Sequence, residues 1–367
     1  MGFKDLLSSY GIPTDVEFMD VLKSADCPVV LYGASDDVAD QIIKKLSKYD
    51  IQVKIVVYDE ESPVMTESTR LLKDVEKIHV KDIDNRLGGY HVVIGFVKGY
   101  AHVEKIKAKF TNAHTVGYLS EIFDMEIITH SFVYDNFNYL QGFYDKLGDQ
   151  HSKDSLVAYL LSKFWQDMKF LPPVFEKVQY FAQGMFTLTD QESFFDCGAY
   201  TGDTIAGFLQ ATGGAYRRIW AAEPDRSNYQ QLMLYLETEK LPDVEVVNKG
   251  IYNCAGNLPF QEEGSMLSMI SEASDSYIEV DTIDNIVAGN PVTFIKMDVE
   301  GVELQALKGA EQTIRQYKPI LAISIYHKER DLIDIPAYIK KIVPEYTFFF
   351  RVHKKMAIDV VLYGVVK

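Results

Sequence analysis

Three features of the sequence predict an α/β protein built on two open sheets. Short apolar runs alternate with amphipathic helical patterns in the front half of the chain, beginning "PVVLYGASDDVADQIIKKLSKYDIQVKIVVYDEE". The same alternation starts again at "SFFDCGAYTGDTIAGFLQAT". Two C-terminal strands lie too close together to run parallel. Apolar runs bounded by turn residues suit strands buried on both faces, which is the texture of a parallel sheet. The 367 residues leave room for two domains and a connector.

In the front half, Val29 to Tyr32 reads as a buried strand and Gly33 turns the chain. Asp36 or Asp37 caps a helix that places Val38, Ile42, Ile43 and Leu46 on one face. Val53 to Tyr58 forms a second strand ending at Asp59, and His91 to Val97 another central one. These elements predict a small, doubly wound, Rossmann-like α/β domain over residues 1–131. Phe132 to Thr189 is rich in aromatics and helix formers. Ser152 or Asp154 caps a helix carrying Leu156, Tyr159, Leu160 and Phe164, and Pro172-Pro173 stops it. Residues 132–189 are therefore expected to form a helical connector, too apolar for a free linker.

The rear series places strands at Ser193 to Cys197, Ile219 to Ala222, Val244 to Val247, Thr293 to Met297 and Ile320 to Ile325. Helices fall at Thr204 to Thr212, Arg226 to Glu237 and Val302 to Tyr317. The chain end, "YTFFFRVHKKMAIDVVLYGVV", holds two strands joined only by residues around His353 to Met356. A parallel pair needs a crossover of roughly a dozen residues or more, so this pair is antiparallel. Added to the parallel strands, the hairpin predicts a seven-stranded sheet over residues 190–367. A dinucleotide-binding fold carries six parallel strands instead. The terminal hairpin resembles the class I methyltransferase fold, which binds S-adenosylmethionine.

Composition excludes several partners. The formal net charge of −16 repels nucleic acid and anionic membrane, and pairs such as Lys44-Lys45 and Lys354-Lys355 are too short to make a basic patch. Cys27, Cys197 and Cys254 are scattered, lack metal-site spacing and read as reduced thiols of a cytoplasmic protein. The opening "MGFKDLLSSYGIP" has no apolar signal core, Leu6 departs from a myristoylation pattern, and no apolar run is long enough to span a bilayer.

The chemistry concentrates at "FFDCGAYTGDT". A phosphate-binding turn reads G-x-G-x-x-G. Here a carboxylate, Asp196, precedes Gly198, Ala199, Tyr200 and Gly202. A fixed anion repels a pyrophosphate and attracts an ammonium. S-adenosylmethionine carries an α-ammonium, an α-carboxylate and a sulfonium, and no phosphate. The glycines let backbone approach closely, and free N–H groups at the helix start suit the ligand's carboxylate. Glu223 ends the next strand, placed either to accept ribose hydroxyls or as a solvated loop carboxylate. Asn253, after the third strand, either donates to an adenine nitrogen or is a turn residue. Asp298 ends the fourth strand in "FIKMDVEGVEL", with Glu300 in the loop and Glu303 in the first helical turn, where helix capping explains Glu303 well. Tyr326 and His327 end the fifth strand at the same sheet edge.

Together "FFDCGAYTGDT", "AAEPDRSNYQQL", "TFIKMDVEGVELQALKGAEQTI" and "LAISIYHKERDLIDIPAYI" resemble the FkbM-type S-adenosylmethionine-dependent methyltransferases, from about Gln179 to the C-terminus. The resemblance implies cofactor roles for Asp196, Gly198, Gly202 and Glu223, and active-site roles for Lys296, Asp298 and Glu300. It implies methylation of hydroxyls on sugars, polyketide-like compounds or other natural products. Tyr200 stands where many relatives carry Asn. Some relatives carry a similar extra N-terminal domain. An alcohol acceptor calls for a general base. Asp298 is the first choice and His327 the second, and Lys296 either anchors substrate or holds Asp298 ionised. The spacing requires no metal, although Asp298, Glu300 and His327 are donors suited to Mg²⁺ or a similar ion. The front domain offers Gly33 without the later glycines of the dinucleotide fingerprint, and Asp36 and Asp37 stand where phosphate would go. It is expected to bind no dinucleotide and to serve acceptor recognition or homodimer contacts. The rival readings are an NAD- or nucleotide-sugar-dependent α/β enzyme and a non-catalytic S-adenosylmethionine-binding module.

Overall fold

The computed structural model describes residues 18–23, 27–34, 36–62, 72, 75–96, 103–119, 128–165, 170–261, 269–270, 276–354 and 359–366. The chain divides into two compact units. The first comprises Met1–Gln141, Asp154–Phe175 and Lys354–Ile358, and the second Gly142–Lys153, Glu176–His353 and Asp359–Lys367. Among the described residues no helix is long and apolar enough to cross a membrane.

The first unit is a parallel sheet of five strands: β1 (Val29–Tyr32), β2 (Val53–Tyr58), β3 (Glu76–His79), β4 (Tyr90–Ile94) and β5 (Ala113–Gly117), in the order β3-β2-β1-β4-β5. The sequence reading finds the three central strands and misses β3 and β5. Those edge strands bury only one face or less and carry few apolar residues, so the period that marks a buried strand is absent. Strand β4 ends at Ile94, and Val97 of the expected strand lies outside the described residues. The first helix spans Asp36–Lys48 and buries Ala39, Ile42 and Leu46; the side chains of the expected caps, Asp36 and Asp37, also lie outside the described residues. After β2, Asp59 is buried and accepts hydrogen bonds from Tyr32 Oη and from the N–H groups of Glu61 and Ser62. Lys109 Nζ closes the cluster 2.6 Å from Asp59 Oδ2. Burial opposes the charge, but Lys109 and Tyr32 outweigh it and hold the Asp59 carboxyl down at about 2. At Gly33 (φ +68°) an added Cβ would lie 2.5 Å from the Phe96 ring.

The second unit carries the seven-stranded sheet that the sequence predicts. Its strands are β6 (Ser193–Cys197), β7 (Arg218–Ala222), β8 (Val244–Val247), β13 (Phe294–Met297), β14 (Ile320–Ser324), β15 (Thr347–Val352) and β16 (Val360–Val365). Between β8 and β13 come β9 (Gly250–Ile251), β10 (Gly256–Gln261), β11 (Met269–Ile270) and β12 (Tyr277–Asp281), a small four-stranded sheet that the sequence reading does not contain. The main sheet runs β15-β16-β14-β13-β6-β7-β8, and β16 is antiparallel to both neighbours. The strand order reverses between β6 and β13. A doubly wound sheet opens its ligand crevice at such a reversal, at the carboxyl ends of the strands. Beneath that edge, Phe181, Phe194, Phe208 and Phe294 pack ring on ring, with Phe194 and Phe208 stacked 4.6 Å apart.

The expected helix from Val302 to Tyr317 is two, Glu303–Lys308 and Glu311–Tyr317. The break falls at Gly309, which packs so close to a neighbouring loop that a Cβ would lie 2.1 Å from the Tyr252 carbonyl oxygen. The helix Gln150–Trp165 is capped by neither Ser152 nor Asp154. Asp149 Oδ1 accepts from the Ser152 N–H at 2.7 Å and fills the N-cap role. Pro172 and Pro173 lie in a separate 3₁₀ turn, Pro172–Val174, and residues 176–192 contain neither helix nor strand.

That irregular segment is fastened to the terminal hairpin. The Tyr180 N–H donates to Tyr363 Oη at 2.8 Å, and Tyr363 Oη lies 2.8 Å from His353 Nε2. With Tyr363 donating to Nε2, His353 Nδ1 carries the proton and donates to the Glu176 carbonyl at 3.0 Å. Burial pulls His353 down to about 4, which keeps it neutral in that chain of bonds. Arg351, also on the hairpin, reaches Asp149 Oδ2 at 2.6 Å and Ser152 Oγ at 2.7 Å.

Burial works against the Asp149 charge, but Arg351 and Ser152 hold its carboxyl down at about 2. The folded pKa lies below the unfolded one, so this contribution is complete above about pH 4 and is lost as the pH falls toward 2. Arg351→Met is expected to cost roughly 2 kcal/mol in urea unfolding at pH 7. The gap from the native chain should narrow when the melts are repeated near pH 3.

Candidate active site

At the carboxyl edge of the central strands, Asp196 on β6 and Lys296 on β13 are register partners in the parallel ladder. Their side chains meet with Nζ 3.1 Å from Oδ1, at 3% and 0% exposure for Lys296 and Asp196. Lys296 Nζ also donates to the carbonyls of Gly198 (2.6 Å) and Cys197 (3.3 Å). Burial pushes the Asp196 carboxyl up to about 6, against the pull of Lys296. Burial likewise opposes the lysine charge, but Asp196 and Asp298 outweigh it and hold the ammonium charged. The pair is therefore ionised at neutral pH. Neither Asp196 oxygen accepts an aligned hydrogen bond among the described residues. A buried acceptor left so costs about 1–3 kcal/mol.

The glycine turn follows. Gly198 (φ +77°) passes so close to the loop after β13 that a Cβ would lie 2.0 Å from the Asp298 carbonyl oxygen. Tyr200 takes the left-handed conformation (φ +48°) that a side chain rarely adopts. Its N–H donates to Glu223 Oε2 at 2.8 Å, while Glu223 Oε1 accepts from the Asp225 N–H at 2.9 Å. The N–H groups of Gly198 and Ala199 go to the Ala222 carbonyl, and that of Gly202 to Ala199. Glu223 thus ties the turn to the end of β7. Burial pushes its carboxyl up to about 7, against these two backbone donors. Asn253 is exposed and donates to Gln305 Oε1 at 2.7 Å.

Across the crevice mouth stands Asp298, directly after β13. Tyr180 Oη donates to its Oδ2 at 3.0 Å, and Tyr326 Oη approaches Oδ1 at 3.4 Å. His327 follows Tyr326 at the end of β14. Its Nε2 lies 3.2 Å from Glu300 Oε2 and 3.8 Å from Asp298 Oδ1, and its Nδ1 lies 3.1 Å from Glu303 Oε1. These spacings suit ion pairs, although neither ring nitrogen is aligned for a hydrogen bond. Glu303 is fully buried and its Oε1 also accepts from the N–H groups of Val299 and Gly301, which folds the loop around it. Burial opposes the imidazolium, but Glu303 and Glu300 outweigh it and hold His327 well above its usual value.

Asp196, Gly198, Ala199, Tyr200, Gly202, Glu223, Lys296, Asp298, Glu300 and His327 thus occupy the carboxyl ends of β6, β7, β13 and β14 or the loops just beyond them. Lys296 does not reach Asp298 in a hydrogen bond; its ammonium forms an ion pair with Asp196 and donates to two carbonyls. Tyr180 is absent from the sequence reading. It sits in a segment without periodicity, far from Asp298 in the chain, and no local pattern marks it. Helix capping accounts for Glu303 through its bonds to Val299 and Gly301, but its contact with His327 depends on β14 lying beside β13.

Comparison with known proteins agrees with this geometry. Residues 196–352 match the family described as "Methyltransferase FkbM domain". The chain is similar in fold to a crystal structure of methyltransferase FkbM from Methylobacillus flagellatus KT, with a TM-score of 0.77, 23% identity, and 99% of this chain and 98% of that one covered. Weaker likenesses include an rRNA methylase from Streptococcus thermophilus (TM-score 0.34, 14% identity, 49% of this chain and 90% of that one). Another is a putative methyltransferase from Streptococcus mutans in complex with SAH (TM-score 0.31, 9% identity, 49% and 92%). Both are too distant to carry weight. Among curated proteins none matches the sequence significantly. From Asp196 to Val352, then, the chain carries a methyltransferase FkbM domain.

Proposed function

We propose that the protein transfers a methyl group from S-adenosylmethionine to a hydroxyl oxygen of a small molecule or glycan. The observation that carries this reading is the charge of the crevice edge. Carboxylates end β6, β7 and β13, and Lys296, the cation among them, is already engaged by Asp196. Such an edge opposes a diphosphate and accommodates a cationic ligand that carries no phosphate.

The residues fit that cofactor. Asp196 keeps two buried oxygens without aligned donors. Glu223 keeps acceptor capacity beyond its two backbone bonds and stands where ribose hydroxyls are recognised in sheets of this type. When bound, the cofactor supplies an electrophilic methyl group on a sulfonium. The protein then has to hold an acceptor oxygen in line and take its proton. Asp298 is the group assigned to that, on the support of its position at the end of β13. Tyr180 Oη holds Oδ2, Tyr326 Oη approaches Oδ1 at 3.4 Å, and the side chain retains 18% exposure. His327, held protonated by Glu303 and Glu300, is a poor proton acceptor. Two carboxylates at the rim, Asp298 and Glu300, disfavour an anionic acceptor, which supports a neutral, hydroxyl-bearing one. The first unit, with Asp59 closed by Tyr32 and Lys109, serves acceptor recognition or self-association rather than dinucleotide binding. Three free thiols suit a protein working in the cytoplasm.

Calorimetry should find tight binding of S-adenosylmethionine and none of NAD; the reverse result ends this reading. Asp298→Asn is expected to keep cofactor affinity within about threefold and to lower turnover on hydroxylated acceptors by roughly 100-fold or more. Equal turnover in the two proteins removes Asp298 from the chemistry. Ionised Glu223 accepts ribose hydroxyls more strongly than its acid form, so cofactor affinity should fall as the pH drops through about 7. Glu223→Gln should bind more weakly and lose that pH step, as titrations between pH 5.5 and 8.5 will read (a range of roughly one and a half units about the midpoint).

A further inference from the structure

The geometry points to a divalent-cation site formed by Asp298 Oδ1, Glu300 Oε2 and His327 Nε2, with Glu303 as the positioning carboxylate behind the histidine. The three donor atoms lie within 4.8 Å of one another. From Nε2 the carboxylate oxygens stand 3.2 Å and 3.8 Å away. Two ligands about 2.1 Å from one ion are about 3.0 Å apart at an octahedral right angle and about 3.4 Å apart in a tetrahedron. The spacing therefore suits a common ion with little side-chain movement.

Proximity of acids alone would not make a site. The second observation is His327 itself. The side chain is 8% exposed, Nε2 is buried without a hydrogen-bond partner, and it faces the two carboxylates. Its other nitrogen faces the fully buried Glu303 at 3.1 Å. A metal-ligating histidine commonly sets its second N–H against such a carboxylate, and an ion held by Asp298 and Glu300 would displace the Nε2 proton that those acids otherwise favour. Tyr180 engages Asp298 Oδ2, and Oδ1 has only the long 3.4 Å approach of Tyr326 Oη among the described residues.

A neighbouring triad, Glu303, His327 and Asp331, is less suitable although its atoms are as close. Its three side chains are buried, and the carboxylates already accept from the N–H groups of Val299, Gly301 and Lys328. Asp298 and Glu300 retain 18% and 32% exposure, which leaves an entry path. Two carboxylates and one imidazole suit Mn²⁺ and similar first-row ions, and a six-coordinate ion would keep open positions for oxygen ligands. The use of those positions by an acceptor hydroxyl rests on the methyltransferase reading; the binding of the ion does not. An ion there would take Asp298 as a ligand and would supply Lewis acidity toward a hydroxyl, in place of the proton acceptance by Asp298 that applies without it.

The test is Mn²⁺ titration of the metal-stripped full chain, read by electron paramagnetic resonance, with S-adenosylmethionine calorimetry run separately so that the two readings fail independently. One bound Mn²⁺ per chain is expected, with nitrogen coupling from a single imidazole. Glu300→Gln, at a half-buried rim position where melting will report an intact fold, should weaken binding by roughly tenfold or more. His327→Gln should abolish the nitrogen coupling. Absence of bound Mn²⁺, an ion without nitrogen coupling, or equal affinity in Glu300→Gln would each overturn the assignment.

Discussion

A buried ion pair between two neighbouring central strands, Asp196 and Lys296, organises the second unit. Taking two charges out of water costs several kcal/mol each, and their attraction repays this only when the remaining donors are satisfied. Lys296 meets that condition by donating to the carbonyls of Cys197 and Gly198, at the point where β6 turns into the glycine loop. The pair therefore sets the position of the loop as well as the charge of the edge. Gly198 follows from it: held against the Asp298 carbonyl, the loop has no room for a Cβ.

Beyond that pair the edge is a succession of shared charges. Glu223 binds the turn to β7 through the Tyr200 N–H, and Asp298 takes a hydrogen bond from the Tyr180 phenol. Glu300, His327 and Glu303 form a second alternation of negative, positive and negative. Each anion is restrained by a neighbour from a different strand or loop. Tyr180 reaches Asp298 because its segment is pinned to the hairpin through Tyr363 and His353. The antiparallel strand β16 thus contributes to the crevice without supplying a side chain to its mouth.

The two units share an architecture and differ in what they do with it. Each has an acidic residue after its second strand in order from the reversal point, Asp59 in one and Glu223 in the other. Asp59 is closed off by Tyr32, two backbone N–H groups and Lys109, which hold its carboxyl at about 2. Among the described residues Glu223 takes hydrogen bonds from backbone donors, and burial leaves it near 7. A group so poised can change protonation or gain a partner near neutral pH; Asp59 cannot.

Much of this architecture is legible in the amino-acid sequence. The alternation of apolar runs and amphipathic helices marks both sheets, and the short spacing of the last two strands requires an antiparallel hairpin, because a parallel crossover needs more chain. The acid before the glycines, and the acids ending β7 and β13, can be placed at one edge because parallel strands all point their carboxyl ends the same way. The edge strands β3 and β5, the small sheet of β9 to β12 and the break at Gly309 are not legible there, since they depend on partial burial or on a loop arriving from elsewhere. Nor are the partners. That Lys296 faces Asp196, that Tyr180 holds Asp298, and that Glu303 backs His327 all follow from which strands lie side by side and how their registers align. Local patterns report periodicity and turn chemistry along the chain; register and side-chain partners arise between segments distant in sequence, where no local period records them.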